Sequence, residues 1–252
     1  MKRMAYILLI MFVLMAPLAS HSALSIKDKD LMLYLPFNEG KGDIVTDLSQ
    51  NKFEGTIVGK VEWVDGKLGK AIEFAEAGEV KCPYIPLDSR SFSICLWTRP
   101  KLKGAAEQCV FTQTQVNNTN TSLHFRIYTN GTLRMGFYSN DLDAAGKAIA
   151  DEWIHICYWL DAKSKTRRIY VNGEQVAQDQ PASLYLGTAG DTMIGSWGAT
   201  GQKYNGAIDE VQVWHRALSP QEIKESMGDM TKIAVESGGK LVSTWGDIKI
   251  NR

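Results

Sequence analysis

The chain of 252 residues lacks an excess of charge of either sign, because 28 lysine and arginine residues balance 28 aspartate and glutamate residues. No basic stripe is present to attract nucleic acid. Beyond the N-terminus, no apolar run is long enough to cross a bilayer as a helix. Internal repeats, heptads and low-complexity blocks are also missing, which disfavours solenoids and coiled coils. The composition therefore indicates a globular domain with neither a nucleic-acid partner nor a membrane span.

The one long apolar run lies at the N-terminus. Basic residues at positions 2 and 3 precede an apolar segment that ends near Leu18, and small residues follow, among them Ser22 and Ala23. This order is typical of a secretory signal peptide. We expect residues 1–23 to be removed on export; an uncleaved anchor is the alternative, although the segment is short for a membrane span. The mature protein is expected to be secreted or otherwise extracytoplasmic.

Helical periodicity is scarce, whereas apolar residues alternate with period two along most of the chain. Such runs occupy 31–37, 92–99, 123–129 and 167–171. The dipeptides at 130–131 and 172–173 are both Asn-Gly and follow strand-like runs. Asn-Gly tolerates the positive φ of a type I′ turn, so both dipeptides predict hairpins. The sequence predicts an all-β protein rather than a parallel α/β architecture.

The clearest local signal is the segment 204–227, YNGAIDEVQVWHRALSPQEIKESM, which predicts a strand, a turn and a helix in succession. Ser219 is placed as the N-cap, and Pro220 falls at the first helical position, where its missing N–H costs nothing. Glu222 stands three residues after the cap and completes a capping box. The pattern predicts one short helix over residues 220–227.

Several segments, taken in order, resemble the laminin-G-like, concanavalin A-like jelly-roll domains of bacterial secreted proteins. They are a closing motif of the form G-x-I-D-E-V-x-V-W-x-R-A-L-S-x-x-E-I, the opening LYLPFNEGKGDIVTDLSQNKFEGTIVG, and between them GKLGKAIEF, FSICLWTRP, WIHICYWLD and IYVNGEQV. The resemblance implies a two-sheet antiparallel jelly-roll sandwich over residues 24–227. The tail 228–252 contains a strand-like piece that either covers a sheet edge or serves export or attachment.

A calcium site is the cofactor that this resemblance implies. In similar domains the loop corresponding to 38–53 lies beside the strand that carries the aspartate of I-D-E-V, which is Asp209 here. Calcium prefers carboxylate, amide and carbonyl oxygens. We therefore expect Asp47 and Asp209 as ligands, with Asn51 as a further one. Gln50 stands where related loops usually have glycine, so an Asx-turn in a solvated loop is the alternative.

The sequence predicts a protein that is not an enzyme. Glucanases of the same superfamily carry paired carboxylates on one strand as E-x-D-x-(x)-E, whereas this chain has Ala207 before Asp209 and only Val-Gln-Val after Glu210. Adjacent residues of a strand point to opposite faces, so Asp209 and Glu210 are not expected to form a catalytic pair. No G-x-S-x-G or H-E-x-x-H motif accompanies the histidines.

A ligand surface is expected where aromatic rings stand in an irregular polar loop. The loop 196–205 carries Trp197 and Tyr204 among glycines and polar residues, and rings of this kind stack on sugars. The polar tract 113–122 is the second candidate surface. The predicted function is a secreted recognition or adhesion module that binds a glycan or an extracellular protein and is stabilised by calcium. A glucanase-like enzyme with atypical acids and a purely structural envelope protein are the alternatives.

Four cysteines in an exported chain permit at most two disulfides, and we expect no more than one. The resemblance places Cys95 and Cys157 where related domains have small buried residues, which favours packed thiols there. Cys82 and Cys109 lie nearer the ends of their segments. The sequence leaves the pairing open.

Overall fold

The computed structural model describes residues 23–198 and 202–232, so the predicted signal segment up to residue 22 and most of the tail lie outside the described residues. Within these ranges, no helix is long and apolar enough to cross a membrane. The elements are β1 Leu31–Leu35, β2 Ile44–Val45, β3 Gly55–Asp65, β4 Lys70–Cys82, β5 Phe92–Pro100, β6 Glu107–Thr114, β7 Ser122–Tyr128, β8 Leu133–Gly136, β9 Asp141–Ala144, β10 Ile154–Asp161, β11 Thr166–Val171, β12 Glu174–Asp179, β13 Thr192–Ile194, β14 Asn205–Trp214 and α1 Pro220–Glu225.

The strands form two layers, which we name the back sheet and the front sheet. The back sheet runs β12, β11, β10, β5 and β14, with β1 also on β14, and the front sheet runs β13, β6, β7, β8 and β9. Strand β4 joins them, because its first half pairs with β14 and its last residues pair with β13. The pairings between these strands are antiparallel. The predicted all-β antiparallel jelly-roll sandwich is confirmed.

The main core lies between the two sheets and follows from the period-two alternation. In β7, Leu123, Phe125 and Ile127 point into the core, while the residues between them point outward. Phe125 stacks on Tyr158 of the opposite sheet with 4.2 Å between the ring centroids. Full burial of an aromatic or aliphatic side chain stabilises the fold by about 1.5–3 kcal/mol relative to exposure. The alternation read from the sequence thus fixes which face of each strand is packed.

A second, smaller core covers the outer side of the back sheet beneath α1, and we name it the outer cluster. Helix α1 contributes Ile223, and the segment after it contributes Met230. Both pack on outward-facing residues of the back sheet and its neighbours, namely Leu31, Tyr34, Cys95, Cys157, Trp159, Tyr170, Trp214 and Leu218. The packed domain therefore extends to Met230.

The predicted turns have the expected positions. Asn172 and Gly173 adopt φ values of 50° and 80° between β11 and β12, which is the pattern of a type I′ turn. In the turn between β7 and β8 only Gly131 has a positive φ, of 79°. Both Asn-Gly dipeptides thus connect hairpins, and the first does so with a different turn geometry.

Helix α1 begins where the sequence predicts, but it ends at Glu225, two residues before the predicted end. Glu222 N donates to Ser219 Oγ at 3.3 Å, and Ser219 N donates to Glu222 Oε2 at 2.7 Å. These two bonds are the reciprocal pair of a capping box. The confirmed capping box fixes the start of α1 at Pro220.

Replacing Ser219 by alanine is expected to lower the free energy of unfolding by about 1 kcal/mol, because the Glu222 N–H loses its acceptor. Urea denaturation monitored by tryptophan fluorescence measures the change. Ser219→Asn is the matched control, since asparagine caps helices as well as serine does. Equal losses in both variants would contradict a role for the cap.

Candidate functional site

The outer surface of the front sheet carries polar side chains in cross-strand rows. Thr112, His124, Gly136 and Asp141 are successive partners across β6, β7, β8 and β9. In the next row, Arg126, Arg134 and Asp143 are successive partners across β7, β8 and β9. We name this surface the polar face and define it by His124, Arg126, Tyr128, Arg134, Asp141 and Asp143.

Trp197 lies flat on the polar face instead of standing free in its loop. Its ring centroid is 5.1 Å from that of His124, and the guanidinium of Arg126 lies 4.5 Å from the ring. The indole N–H donates to Thr114 Oγ1 at 2.7 Å. Only 6% of the side chain is exposed. The prediction of an exposed stacking ring at Trp197 is therefore wrong, because the front sheet covers the ring.

Tyr204 is also an interior residue, with no exposed area. Its N–H donates to Gly195 O at 2.8 Å, which pulls the end of the loop 196–205 into the sandwich. The ring lies edge-on to Phe74 with centroids 6.3 Å apart, and the hydroxyl hydrogen-bonds with Thr98 Oγ1. The predicted platform of Trp197 and Tyr204 is corrected: Tyr204 belongs to the main core.

His124 is a buried, neutral imidazole of the polar face, and the Trp197 ring stacks on it. Its Nε2 accepts from Tyr138 N at 3.2 Å, so Nδ1 carries the proton and has no partner among the described residues. Burial, helped by the positive charges of Arg126 and Arg134, lowers its pKa to about 2. Gly136 makes room for the ring, since a Cβ there would lie 2.0 Å from His124 Cε1. His124 is thus an interior residue of the polar face, and its ring accepts a hydrogen bond from the backbone of Tyr138.

A small cleft opens at one end of the polar face, and we name it the Tyr128 groove. Its volume is about 150 Å³, and its walls are Tyr128, Asn130, Thr132, Arg134 and Asp143. Arg134 holds Asp143 with two parallel bonds, Nε to Oδ1 at 2.7 Å and Nη2 to Oδ2 at 2.8 Å. The same guanidinium lies 5.2 Å from the centroid of the half-buried Tyr128 ring. The groove therefore combines one aromatic ring with oriented charged and amide groups.

Two larger clefts lie elsewhere among the described residues, and neither contains an aromatic ring. One of about 430 Å³ lies along β3 and β4 and includes Glu73 and Lys101, which form an ion pair. The other, of about 540 Å³, is lined by Lys81 and Asp191, paired at 2.7 Å, by Glu54, and by small and aliphatic side chains. Of the three clefts, the Tyr128 groove has the chemistry expected for a sugar site.

Asp47 holds its own loop together. Its Oδ1 accepts from the N–H groups of Tyr34 at 2.9 Å and Ser49 at 2.8 Å, and its Oδ2 accepts from Ser49 Oγ at 2.7 Å and Phe53 N at 2.8 Å. All four lone-pair positions of the carboxylate are therefore used. A calcium ligand needs a free oxygen. Asp47 does not fit the predicted metal role, and the alternative of an Asx-type turn describes it better.

Asn51 serves the same loop. Its amide Nδ2 donates to Leu31 O at 3.0 Å and to Met32 O at 3.1 Å, which joins the loop to the edge of β1. Within the described residues, no group of three or more His, Cys, Asp or Glu side chains is arranged to hold a metal ion. Asn51 thus acts with Asp47 to hold the loop against β1.

Asp209 and Glu210 lie on the same face of β14, contrary to the expectation for adjacent strand residues. The pairing of β14 with β5 is interrupted between Asp209 and Gln212, and Glu210 adopts a φ of 54°. These are the marks of a β-bulge, which adds one residue and turns two successive side chains to one side. Ile208 and Val211 accordingly both point into the main core.

We name Asp209 and Glu210 the carboxylate pair. Asp209 Oδ2 accepts from Leu68 N at 3.0 Å, and Glu210 Oε2 accepts from the Tyr34 hydroxyl at 2.6 Å. The other oxygens, Asp209 Oδ1 and Glu210 Oε1, are buried without a hydrogen-bond partner in the described part of the chain. A buried, unpaired carboxylate oxygen is costly unless it binds a proton or a cation.

Burial raises the pKa of Asp209 to about 7 and that of Glu210 to about 8. The negative charge of Asp209 further raises the pKa of Glu210. The negative charge of Asp229 raises the pKa of both acids. The segment after α1 covers the neighbourhood, since Trp97 Nε1 donates to Met227 O at 3.0 Å and Gln212 Nε2 donates to Ser226 O at 3.0 Å. The exposed fraction is 0% for Asp209 and 1% for Glu210, so a polysaccharide does not reach either acid in this structure.

Sequence reasoning found Asp209 but not the bulge, and it missed the Tyr128 groove. A signal for the groove was present, because the run LHFRIYT alternates and so turns His124, Arg126 and Tyr128 to one side. The run alone did not indicate which neighbouring strands would supply Arg134 and Asp143. The candidate surface therefore depends on strand pairing, which the sequence alone does not specify.

Comparison with known proteins gives a consistent result for the fold. A family model described as Laminin_G_3, of the concanavalin A-like lectin/glucanases superfamily, matches residues 74–224. No curated protein sequence matches the chain significantly.

Among solved structures, a similar one is domain 4 of AbnA, a GH43 extracellular arabinanase from Geobacillus stearothermophilus, in complex with arabinotriose. It shares 21% identity at a TM-score of 0.64, over 79% of this chain and 98% of that one. The binding domain of Paraclostridial Mosquitocidal Protein 1 is 17% identical at a TM-score of 0.61. The binding domain of Botulinum neurotoxin DC, in complex with rat synaptotagmin II, is 16% identical at a TM-score of 0.59. For both, the alignment covers 79% of this chain and 52% of the toxin domain. At these identities the likeness concerns the fold.

Proposed function

The chain belongs to the concanavalin A-like lectin/glucanases superfamily, and from this membership we propose that it is a secreted, non-catalytic recognition module that binds carbohydrate. The observation that carries the proposal is the Tyr128 groove. The arabinanase domain in complex with arabinotriose supports it, because that domain shares the fold over nearly its whole length. Export rests on the signal peptide predicted for residues 1–23.

The chemistry of the groove suits a sugar. A half-buried tyrosine ring offers an apolar face to sugar C–H groups, and the Asp143 carboxylate and Asn130 amide offer partners to hydroxyls. Arg134 is held in place by Asp143 and by Asp141, whose Oδ2 lies 3.2 Å from Arg134 Nη1, so the guanidinium is pre-oriented and little side-chain entropy is lost on binding. A cleft of about 150 Å³ has room for one sugar ring of a longer chain. Affinity for a single site is expected to be weak, and several copies would strengthen it by avidity.

The absence of catalysis is part of the proposal. Glycoside hydrolysis needs two carboxyl groups on either side of the scissile bond, roughly 5–10 Å apart and open to substrate. The carboxylate pair is closed off from solvent, and Asp143 is the single carboxylate among the residues that line the groove. Ala207 stands at the position where a glucanase nucleophile would lie. These features support a binding role.

Affinity electrophoresis tests the proposed function. The protein is run in native gels that contain a soluble polysaccharide, with arabinan, xylan, β-glucan and pectin as separate gels. Retarded migration in at least one gel, relative to a non-binding reference protein, is the expected result. Unchanged mobility in all of them would contradict the proposal and would favour a protein partner.

Calcium binding is a second part of the proposal, and it concerns the carboxylate pair instead of Asp47. The two unpartnered buried oxygens, Asp209 Oδ1 and Glu210 Oε1, are hard oxygen donors of the type that calcium prefers. Such a cation would neutralise charges that burial otherwise disfavours. When bound, it would supply structural stabilisation and no chemistry.

Millimolar calcium is expected to raise the melting temperature measured in EDTA, because a ligand bound only by the folded state adds about 2.7 kcal/mol at 100 times its Kd. Differential scanning calorimetry in the two buffers measures the shift. Asp209→Ala is expected to abolish it. The exposed Asp65 offers a matched control, and Asp65→Ala should keep the shift. Coincident wild-type curves, after exhaustive chelation, would contradict calcium binding.

A further inference from the structure

Cys95 and Cys157 lie directly opposite each other in the back sheet. Cys95 belongs to β5 and Cys157 to β10, and the two residues are register partners in this antiparallel pair. Cα atoms of such partners are about 4.5–5.5 Å apart. Disulfides span Cα separations of about 4.4–6.8 Å. The backbone therefore places these two cysteines within the reach of a disulfide without any movement of the strands.

The two side chains also meet. Their Sγ atoms are 2.6 Å apart, which is inside the contact distance of two unbonded sulfur atoms. Both residues are fully buried in the outer cluster, between the back sheet and α1. In the structure all four cysteines are free thiols. The geometry nevertheless brings the Cys95 and Cys157 sulfurs close enough to bond.

The other two cysteines are not neighbours. Cys82 of β4 and Cys109 of β6 are separated by β13, which pairs with both strands. Two strand spacings amount to about 9–10 Å, beyond the Cα separation that a disulfide tolerates. Cys82 is opposite Thr192, and Thr192 is opposite Gln113, four residues along β6 from Cys109, which increases the gap. The structure therefore favours one pairing out of those that the sequence left open.

We propose that Cys95 and Cys157 form an intramolecular disulfide when the chain folds in an oxidising, extracytoplasmic compartment. A thiolate of one cysteine attacks the disulfide of an oxidant, either a protein dithiol–disulfide oxidoreductase or glutathione disulfide, and releases one thiol from it. The second cysteine then attacks the mixed disulfide, which forms the Cys95–Cys157 bond and releases the second thiol. The protein loses two hydrogens, and the oxidant disulfide is reduced to two thiols.

The order of events follows from burial. Burial, together with the neighbouring Cys95, raises the pKa of the Cys157 thiol well above its usual value. Since the thiolate is the reacting form, exchange is slow once β5 and β10 are covered by α1. The bond therefore forms before the outer cluster closes and is protected from reductants afterwards. It links residues 62 positions apart in the chain and ties together two central strands of the back sheet.

Thiol counting tests the proposal. The protein is purified after export to the periplasm of an expression host and, separately, refolded in a glutathione redox buffer. Each sample is alkylated in denaturant, with and without prior reduction, and mapped by mass spectrometry. Two labelled thiols, at Cys82 and Cys109, are expected before reduction and four after it. Four labelled thiols before reduction, or a bond that involves Cys82 or Cys109, would overturn the proposal.

Thermal stability gives a second, independent test. A disulfide that closes a loop of about 60 residues is expected to raise the melting temperature by roughly 8–16 °C relative to protein refolded in reductant. The Cys82→Ala/Cys109→Ala variant should retain this redox-dependent shift. Cys95→Ala/Cys157→Ala should lose this shift. If that variant does not fold, the redox-dependent shift of Cys82→Ala/Cys109→Ala still tests the bond, because only Cys95 and Cys157 remain in that variant. Identical melting of the oxidised and reduced wild type would contradict the bond.

Discussion

The Asp209→Asn/Glu210→Gln variant is expected to be more stable than the wild type by several kcal/mol at pH 9 in the presence of EDTA. Burial raises the pKa values of these acids from the ordinary 3.8 and 4.5 to about 7 and about 8. Each pKa unit corresponds to about 1.4 kcal/mol of differential stabilisation of the protonated form. The amides cannot ionise, so the variant avoids the cost of two buried negative charges.

The sign of the pH dependence follows from linkage. Between about pH 4 and pH 8 the folded protein retains protons on Asp209 and Glu210 that the unfolded chain releases. The contribution of the pair to stability is therefore complete below about pH 4 and is lost as the pH rises through 7 and 8. In the wild type, without calcium, this contribution falls across that range, whereas in the variant it is absent.

Urea denaturation in EDTA, at each pH unit from 5 to 9, measures the free energy of unfolding of the wild type and of the variant. The difference between the two values at each pH cancels the titration of all other groups. The difference should grow with pH and level off above about pH 8. Asp65→Asn, at an exposed carboxylate, is the control and should follow the wild type. Parallel curves for wild type and double variant would show that the carboxylate pair is not held protonated in the folded state.

Removal of the groove's two central side chains, in Tyr128→Ala/Arg134→Ala, is expected to weaken carbohydrate binding by roughly 30-fold or more. A stacked ring contributes about 0.5–1.5 kcal/mol, and a hydrogen bond from a charged group about 1.5–3 kcal/mol. Together these terms amount to at least 2 kcal/mol, and 1.4 kcal/mol corresponds to a factor of ten in Kd. The fold should survive, because Tyr128 and Arg134 are both partly exposed at the edge of the polar face.

The change is measured as the apparent dissociation constant from affinity electrophoresis over a series of polysaccharide concentrations. Lys101→Ala is the matched control, since Lys101 lines the cleft of about 430 Å³ along β3 and β4. That variant should bind as the wild type does. If Lys101→Ala lost affinity and the double variant kept it, the sugar site would belong to that cleft. Circular dichroism confirms that each variant is folded.

The parts of the structure that could be predicted from the sequence are those fixed by local rules. The strand alternation of β7, the two Asn-Gly turns and the capping box at Ser219 each depend on a few neighbouring residues. The end of α1 was less predictable, because Ser226 is αR but closes the helix with bonds to Glu222 O and Lys224 O. Helix ends fray, and Gly228 directly follows the predicted end at Met227, so the sequence marks a later stop than the structure has.

The site residues depended on tertiary structure, which explains the errors there. Trp197 is covered because β7, a strand distant in sequence, supplies both His124 and Arg126 beneath it. The bulge at Glu210 places a non-glycine residue at positive φ, for which the sequence carries no marker. Asp47 was recognised as a polar loop residue, but only its four bonds to the loop and to β1 distinguish a structural carboxylate from a metal ligand.

The domain is proposed to bind carbohydrate at the front sheet and to leave it intact. An oligosaccharide array, probed with the folded protein and then analysed by mass spectrometry of the immobilised glycans, tests both halves at once. We expect retention on a subset of oligosaccharides, loss of that retention in Tyr128→Ala/Arg134→Ala, and unchanged glycan lengths after prolonged incubation. Absence of retention on every glycan, or shortened glycans that disappear with Asp209→Asn or Glu210→Gln, would contradict the account.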